Sequence, residues 1–266
     1  MSYFRTVELS LPKYEFAGLQ FVTVKSKNLL GRGDICIYSP STTQPLEELP
    51  VVILLHGVYG SSWAWAMKGG VHITAQRMLD KSLIKPMVIA MPSDGLWGDG
   101  SGNLQHSGYD LEKWIVDDVM AATIEAVPHV NADSLRFISG LSMGGYGAMR
   151  IGARSGKLFR GISAHSAITT LAEMKGFVEE PINDRVEDKT EIALFDIIDK
   201  YRSSLPALRF DCGTEDDLIN ANRNLHNRLN AAGIKHLYDE FPGGHEWEYW
   251  EKNVARTLLF FSELSK

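Results

Sequence analysis

The sequence predicts an α/β protein in which helices cover both faces of a mainly parallel sheet. Short β-branched apolar segments recur along the chain, and segments with a helical period lie between them. Two of the short segments, residues 51–55 and 87–90, are almost continuously apolar, as is typical of central strands buried on both faces. Near the N-terminus, residues 21–24 and 35–38 are separated by a turn-rich stretch, and this predicts an antiparallel hairpin at the sheet edge.

The remaining elements alternate between strand and helix, as a parallel sheet requires. Apolar residues at a helical period favour helices over residues 109–127 and 247–264. We predict further strands over residues 135–139, 161–164, 208–211 and 237–241, and further helices over residues 145–155 and 218–232. Residues 167–191 are acidic and poorly patterned, so we interpret them as a surface excursion rather than a partial lid.

Bulk properties narrow the class of protein. Residues 1–266 are enough for one large domain, and we predict a single domain without a large cap domain. A net charge of -6 without any cluster of Lys and Arg argues against a nucleic-acid partner. No apolar run approaches the roughly 20 residues that a membrane span needs. Two distant cysteines and no apparent secretory signal predict a cytoplasmic protein.

Ser142 is the strongest candidate for chemistry. It lies between Gly140 and Gly144, where a predicted strand gives way to a predicted helix. This is the pattern of a nucleophile elbow, in which a strained turn leaves no room for side chains two residues before and after the serine. We therefore predict that Ser142 is a catalytic nucleophile.

A serine hydroxyl needs a base to remove its proton, and the base needs a carboxylate to orient it. His245 follows the last predicted strand after a Pro-Gly-Gly turn, and Asp216 follows the predicted strand over residues 208–211. The carboxyl ends of parallel strands meet at one edge of a sheet, so we expect these side chains to converge there. The order Ser, Asp, His is that of an α/β-hydrolase.

The acid has competitors within the same loop. Asp211 is one alternative, although it lies at the strand end, where a side chain is placed to point sideways and not into the cleft. Glu215 is a second alternative. We choose Asp216 because it lies far enough beyond the strand to reach the cleft, while Asp217 is placed to begin the next helix as its N-cap.

The oxyanion that forms during acyl transfer needs two backbone N–H donors. Met143 follows the nucleophile and opens the predicted helix, so its amide is the first expected donor. Val58 follows an early central strand and supplies the second, with Tyr59 in reserve. His56 precedes this loop, and we expect it to fix the loop by hydrogen bonding rather than to act as the base.

Four sequence motifs together resemble those of one family. They are LLHG at 54–57 with GSSW at 60–63, GLSMGGYGA at 140–148, CGTEDDLI at 212–219 with Asn222 and Arg223, and FPGGHEWEYW at 241–250. The set resembles the esterase D/putative esterase family of α/β-hydrolases, from about Phe21 to the C-terminal helix. That family includes tributyrin-type carboxylesterases, feruloyl and acetylxylan esterases and S-formylglutathione hydrolases.

The resemblance implies a catalytic role for each matching residue. Ser142 would be the nucleophile, Asp216 the acid and His245 the base, with the amides of Val58 and Met143 as the oxyanion hole. The resemblance does not fix the substrate. The Gly-rich residues 94–109, which include Trp97 and His106, match no one subfamily.

Aromatic residues are plentiful near the predicted cleft. We predict that Tyr59, Trp63, Trp97 and Trp247 line the substrate pocket, because aromatic walls suit an apolar acyl or phenolic group. His245 and Glu246 are not followed by the second histidine of a zinc HExxH motif. We therefore expect no metal and no other cofactor.

These observations predict a serine carboxylesterase that hydrolyses small short-chain esters of the acetyl or butyryl type. S-formylglutathione hydrolysis and the removal of acetyl or feruloyl groups from plant-derived oligosaccharides are the alternatives within the enzyme class. A catalytically dead hydrolase fold kept as a binding module is the alternative outside it. The edge hairpin is compatible with a homo-oligomer, although no residue demonstrates one.

Overall fold

The structure, a computed structural model, describes residues 2–42, 47–106, 108–180 and 192–265. Within these residues, nine strands form the main sheet and two short strands pair separately. The strands of the main sheet are β1 (Val7–Leu9), β2 (Leu19–Ser26), β3 (Gly31–Tyr38), β4 (Val51–Leu55), β5 (Val88–Pro92), β8 (Arg136–Leu141), β9 (Gly161–His165), β10 (Ala207–Gly213) and β11 (Leu237–Phe241). The separate pair is β6 (Gln105–His106) and β7 (Tyr109–Asp110).

The sheet is parallel except at its N-terminal edge. Its order is β1-β2-β3-β5-β4-β8-β9-β10-β11. From β5 to β11 all neighbours are parallel, whereas β1, β2 and β3 pair antiparallel with each other and β3 pairs antiparallel with β5. The predicted hairpin is the β2–β3 pair, so the predicted mainly parallel sheet with an antiparallel N-terminal edge is confirmed.

Helices cover both faces of this sheet, as predicted. They are α1 (Ala64–Met67), α2 (Val71–Asp80), α3 (Leu111–Lys113), α4 (Val119–Ala126), α5 (Met143–Arg154), α6 (Leu194–Lys200), α7 (Ile219–Ala231) and α8 (Trp247–Leu264). Apolar residues of α1, α2 and α8 form one buried cluster, and those of α3 to α7 form another.

Strand β4 shows why the central strands are apolar throughout. Val51, Ile53 and Leu55 belong to one buried cluster, and Val52 and Leu54 belong to the other. Because successive side chains of a strand point to opposite faces, a strand covered on both faces needs apolar residues at every position.

The predicted helix over residues 109–127 is broken into parts. Its first two residues form β7, and a helix begins only at Leu111, where the Asp110 carboxylate accepts a hydrogen bond from the Lys113 amide at 2.9 Å. A stretch of π-helix, Trp114–Asp118, then precedes α4. The predicted start was therefore wrong by two residues, because a side-chain cap and not the apolar period determines where the helix begins.

The interpretation of residues 167–191 as a surface excursion is wrong for the part that the structure describes. Ile168, Leu171 and Met174 are buried, and Leu171–Gly176 forms a 3₁₀ helix. The chain then continues to Phe177, which lines the cavity described below. Residues 181–191 lie outside the described residues.

The parallel strands place the predicted site residues at one edge of the sheet. The residues that follow β4, β8, β10 and β11 all emerge at the carboxyl ends of these strands, the edge at which open α/β sheets bind ligands. None of the helices in the described ranges combines the length and apolar character that crossing a bilayer requires.

Candidate active site

Ser142 forms a strained turn between β8 and α5. Its backbone has φ +52° and ψ -118°, a conformation that residues with side chains rarely adopt. A Cβ on Gly140 would lie 2.3 Å from the Gly144 carbonyl oxygen, and a Cβ on Gly144 would lie 2.4 Å from the His56 carbonyl oxygen. The two glycines are therefore required by backbone contacts, as the elbow pattern predicts.

The structure brings Ser142, His245 and Asp216 together. His245 Nε2 lies 3.0 Å from Ser142 Oγ, and His245 Nδ1 lies 2.9 Å and 3.1 Å from the two carboxylate oxygens of Asp216. An ionised carboxylate only accepts hydrogen bonds, so Nδ1 carries a proton, and Nε2, when it is unprotonated, presents its lone pair to the serine hydroxyl. This is the arrangement that a general base needs.

Asp216 is held in its ionised form. Burial alone raises the pKa of this carboxyl group, but the hydrogen bond and the charge of His245, with a further hydrogen bond from the Leu218 amide, outweigh burial and lower the pKa below its ordinary value. The Leu218 amide donates to Asp216 Oδ1 at 2.8 Å. A fixed negative charge therefore lies behind the imidazole.

The lowered pKa predicts a pH-dependent contribution to stability. The native-state stabilisation from the Asp216 carboxylate is fully present above its unfolded pKa of about 3.9 and is lost as the pH falls through the lower native pKa. We expect Asp216→Asn to lower the free energy of unfolding most near neutral pH, with the difference from wild type shrinking below about pH 4. Urea denaturation of both proteins between neutral and strongly acidic pH measures this. A difference that stays constant or grows in acid would contradict it.

The two competing acids are engaged elsewhere or exposed. Asp211 is fully buried and accepts hydrogen bonds from His165, Arg209 and Tyr249 instead of from His245. Glu215 is exposed. Asp217 does not cap the next helix as predicted, because α7 begins after Leu218 without a side-chain cap.

The backbone amides of Val58 and Met143 are the predicted oxyanion donors. Met143 is the first residue of α5, where amides have no partner within the helix. Among the described residues, no acceptor takes the amide of Val58 or of Met143. The amide of Tyr59, the reserve donor, donates to the Asp99 carbonyl oxygen at 2.7 Å and is occupied.

A cavity of about 280 Å³ opens beside Ser142 and His245. Five aromatic residues line it, and two charged residues, Lys68 and Glu246, also line it. The aromatic lining residues are Tyr59, Trp63, Phe177, Trp247 and Trp250. The site therefore combines a hydroxyl in contact with a base, two amides that have no acceptor among the described residues and an apolar recess, which together suit attack on a carbonyl group.

Comparison with known proteins identifies the family. The family model described as Putative esterase matches residues 26–261, which is most of the chain. The chain belongs to the Putative esterase family. The predicted family and the predicted enzyme class, a carboxylic ester hydrolase, are confirmed.

Individual relatives of this esterase agree with the family. An acetyl esterase from Caldicellulosiruptor saccharolyticus is 27% identical over 238 residues, which cover 82% of this chain and 85% of the relative. A solved ferulic acid esterase has a TM-score of 0.78 at 23% identity, covering 97% of this chain and 98% of the other. S-formylglutathione hydrolase (FrmB) from Staphylococcus aureus has a TM-score of 0.76 at 17% identity, covering 96% and 99% of the two chains. The two solved structures show that the α/β-hydrolase fold is shared.

Three of the four predicted pocket residues line the cavity of this esterase, and one does not. Tyr59, Trp63 and Trp247 are lining residues. Trp97 is not among the lining residues of this cavity, and its ring stacks on His106 with 4.6 Å between the ring centroids. A place for Trp97 in the substrate pocket therefore stays a prediction.

Sequence reasoning missed Phe177 as a residue of the site. Its ring stacks on the imidazole of His245, with 5.7 Å between centroids and 27° between planes. Trp250 meets the same imidazole edge-on, at 5.0 Å and 90°. The only signal in the sequence is that Phe177 is the single aromatic residue in the poorly patterned stretch 167–191.

His56 supports the loop of this esterase that carries Val58. It is buried, and its Nδ1 lies 2.6 Å from the Gly57 carbonyl oxygen. Because a carbonyl oxygen accepts, Nδ1 donates to it. This geometry agrees with the expectation that His56 fixes the loop.

Proposed function

We propose that this esterase is a serine carboxylesterase of short-chain esters, with Ser142 as nucleophile, His245 as base and Asp216 as orienting acid. The observation that carries the proposal is the 3.0 Å contact between His245 Nε2 and Ser142 Oγ, backed by the buried Asp216 carboxylate on Nδ1. Each of the three lies at a carboxyl end of a strand of the same sheet, so their convergence follows from the fold.

The reaction proceeds in two halves. As Ser142 Oγ attacks the ester carbonyl carbon, its proton moves to His245 Nε2, and Asp216 stabilises the imidazolium that results. The amides of Met143 and Val58 donate to the oxyanion of the tetrahedral intermediate. The alcohol leaves with the proton from His245. Water, deprotonated by His245, then attacks the acyl-enzyme. The bond to Ser142 Oγ breaks, His245 returns the proton to Oγ, and the carboxylic acid is released.

The size of the cavity supports a small acyl group. Its volume of about 280 Å³ lies just below the range of roughly 300–1,000 Å³ that is usual for small-molecule sites. Phe177 and Trp250 hold two sides of the His245 imidazole, which leaves limited space beside the nucleophile. The acetyl esterase relative supports the same substrate class.

A series of p-nitrophenyl esters from acetate to dodecanoate tests the substrate class. We expect kcat/KM to be highest for acetate to butyrate, because longer chains exceed the cavity. A strong preference for chains beyond about eight carbons would contradict this. S-formylglutathione is measured beside the series, and turnover of this thioester well above that of the acetyl and butyryl esters would favour the alternative function.

A fluorophosphonate probe tests whether the site reacts at all. We expect one covalent adduct, located at Ser142 by peptide mass spectrometry, because the probe reacts with activated serine hydroxyl groups. A protein that hydrolyses none of the esters and remains unlabelled would be a binding module with the hydrolase fold.

Three further predictions join this proposal. One continuous sheet supports a single domain over residues 1–266. Cys36 and Cys212 are buried and free, which supports a reducing, cytoplasmic location. Light scattering coupled to size-exclusion chromatography measures whether the sheet edge supports a homo-oligomer.

A further inference from the structure

The Gly-rich loop at residues 98–102 packs against Val58 and Met143, the two residues whose amides are the proposed oxyanion donors. A Cβ on Gly100 would lie 2.6 Å from Met143 Sδ and 2.9 Å from Val58 Cγ1, so the loop backbone lies directly on both side chains. The Gly102 amide also donates to Met143 Sδ at 3.3 Å. The stretch 94–109, which matches no one subfamily, therefore packs on the side chains of both proposed donor residues.

Asp99 fixes the peptide next to one of these donors. Its carbonyl oxygen accepts the Tyr59 amide at 2.7 Å. This bond sets the orientation of the peptide between Val58 and Tyr59, while the Val58 amide, one peptide earlier, remains without an acceptor among the described residues. The position of Asp99 therefore bears directly on where the Val58 donor points.

Asp99 is itself joined to the segment after β9 by reciprocal hydrogen bonds. The Glu179 amide donates to Asp99 Oδ2 at 3.0 Å, and the Asp99 amide donates to both carboxylate oxygens of Glu180, at 3.2 Å and 3.1 Å. The fit is close, because a Cβ on Gly98 would lie 2.2 Å from Glu180 Oε1. These hydrogen bonds between backbone amides and carboxylates therefore join the loop to the segment that contains Glu179 and Glu180.

The same segment also contacts His245, the proposed catalytic base. It carries Phe177, whose ring stacks on His245, and Tyr59 Oη donates to the Phe177 carbonyl oxygen. The contacts form a closed circuit from the Val58 loop through Asp99 and Glu180 to Phe177, and back to Tyr59. One set of hydrogen bonds therefore positions both the peptide next to the Val58 amide and the Phe177 ring that stacks on His245.

We infer that Asp99 and Glu180 are positioning residues that preorganise the oxyanion hole and the His245 imidazole together. The inference rests on the proposed function. Oxyanion donors act without reorganising during the reaction, and a misplacement of about 1 Å in such a site costs about a hundredfold in rate. Neither side chain lines the cavity beside Ser142, so both residues act through others.

Adjacent glutamates provide a matched test. Glu180 contributes its carboxylate to the hydrogen bonds with Asp99, whereas Glu179 contributes its backbone amide and has an exposed side chain. We expect Glu180→Ala and Asp99→Ala to lower kcat for p-nitrophenyl acetate about ten- to a hundredfold, with KM changed by less than about threefold. Glu179→Ala should stay within about twofold of wild type, and Asp99→Asn should recover most of the loss because its amide oxygen still accepts.

Binding measurements separate positioning from a general loss of structure. A boronic acid that forms a tetrahedral adduct with Ser142 should lose affinity in parallel with kcat, because its oxygen occupies the oxyanion hole. Affinity for the product carboxylate should change little. Thermal unfolding of each variant shows whether it folds. If Asp99→Ala does not fold, the comparison of Glu180→Ala with Glu179→Ala decides, and if Glu180→Ala does not fold, the comparison of Asp99→Ala with Asp99→Asn decides.

Two glycines give a second matched pair. Gly98 and Gly70 have φ of +53° and +54°, but only a Cβ on Gly98 meets the Glu180 carboxylate, while nothing lies within 4 Å of a Cβ on Gly70. Gly98→Ala should reproduce the kcat loss of Glu180→Ala, and Gly70→Ala should report only the strain of the left-handed backbone.

The outcomes are distinguishable. Unchanged kcat and boronate affinity in Asp99→Ala and Glu180→Ala, in an otherwise active enzyme, would overturn this inference and leave the proposed function standing. Equal losses in Glu179→Ala and Glu180→Ala, or a rise in KM alone, would also overturn it. A wild-type protein without ester turnover would overturn the proposed function and this inference with it.

Discussion

Replacing Ser142 by alanine is expected to lower kcat for ester hydrolysis about a million-fold. The physical reason is that the acyl-enzyme cannot form without the hydroxyl, and the His245 imidazole, 3.0 Å from Oγ in the native protein, has no proton to accept. Steady-state turnover of p-nitrophenyl acetate measures the loss, with active-site titration of the wild-type enzyme to give kcat per site.

Ser139 offers a matched control on the same strand. It is buried three residues before Ser142, and its hydroxyl has no hydrogen-bond partner among the described residues. Ser139→Ala should retain wild-type kcat and fold. Retention of more than a few per cent of activity in Ser142→Ala would show that another residue is the nucleophile.

Removing the Asp211 carboxylate should have the largest effect on stability. Its oxygens accept hydrogen bonds from Arg209 Nη1 at 2.6 Å, Tyr249 Oη at 2.7 Å and His165 Nδ1 at 3.0 Å, all in the interior. Burial alone raises the pKa of this carboxyl group, but His165 and Arg209 outweigh it and hold the pKa below its ordinary value. Asp211→Ala leaves the Arg209 charge buried without this partner, and we expect a loss of about 3–5 kcal/mol in the free energy of unfolding.

The same substitution at an exposed ion pair provides the comparison. Asp199 pairs with Arg202 at 3.0 Å, and about half of each side chain is exposed. Asp199→Ala should change the free energy of unfolding by no more than about 1 kcal/mol, because solvent screens the pair. Urea denaturation at pH 7 measures both variants, and similar losses in the two would refute the explanation by burial.

The parts of the site that sequence alone indicated are those with a local steric or topological cause. The elbow around Ser142 needs glycine on both sides because backbone lies within about 2.4 Å of where a Cβ would be. The strand pattern fixes which loops share an edge, so it brings Ser142, Asp216 and His245 to the same end of the sheet. Neither inference depends on contacts between distant side chains.

Sequence patterns do not indicate which side chains stack on each other. Trp97 was assigned to the pocket from its residue type, yet it stacks on His106. Phe177 gave almost no signal, because its stretch lacks periodicity, yet it packs on His245 from a segment 68 positions earlier in the chain. A residue's own neighbours in sequence do not specify such partners.

The sequence by itself determined the family, the mainly parallel sheet and the edge at which Ser142 and His245 meet an acid from the loop after β10, because backbone sterics and strand direction depend on local residue types. Only the tertiary structure decided between Asp216 and Asp211, since His165, Arg209 and Tyr249 engage Asp211 from other elements. It also showed that the Asp99 carbonyl oxygen from a separate loop takes the amide of Tyr59, the reserve donor. In both cases, a hydrogen bond from another segment occupies one of the two candidate groups, and local sequence does not specify that bond.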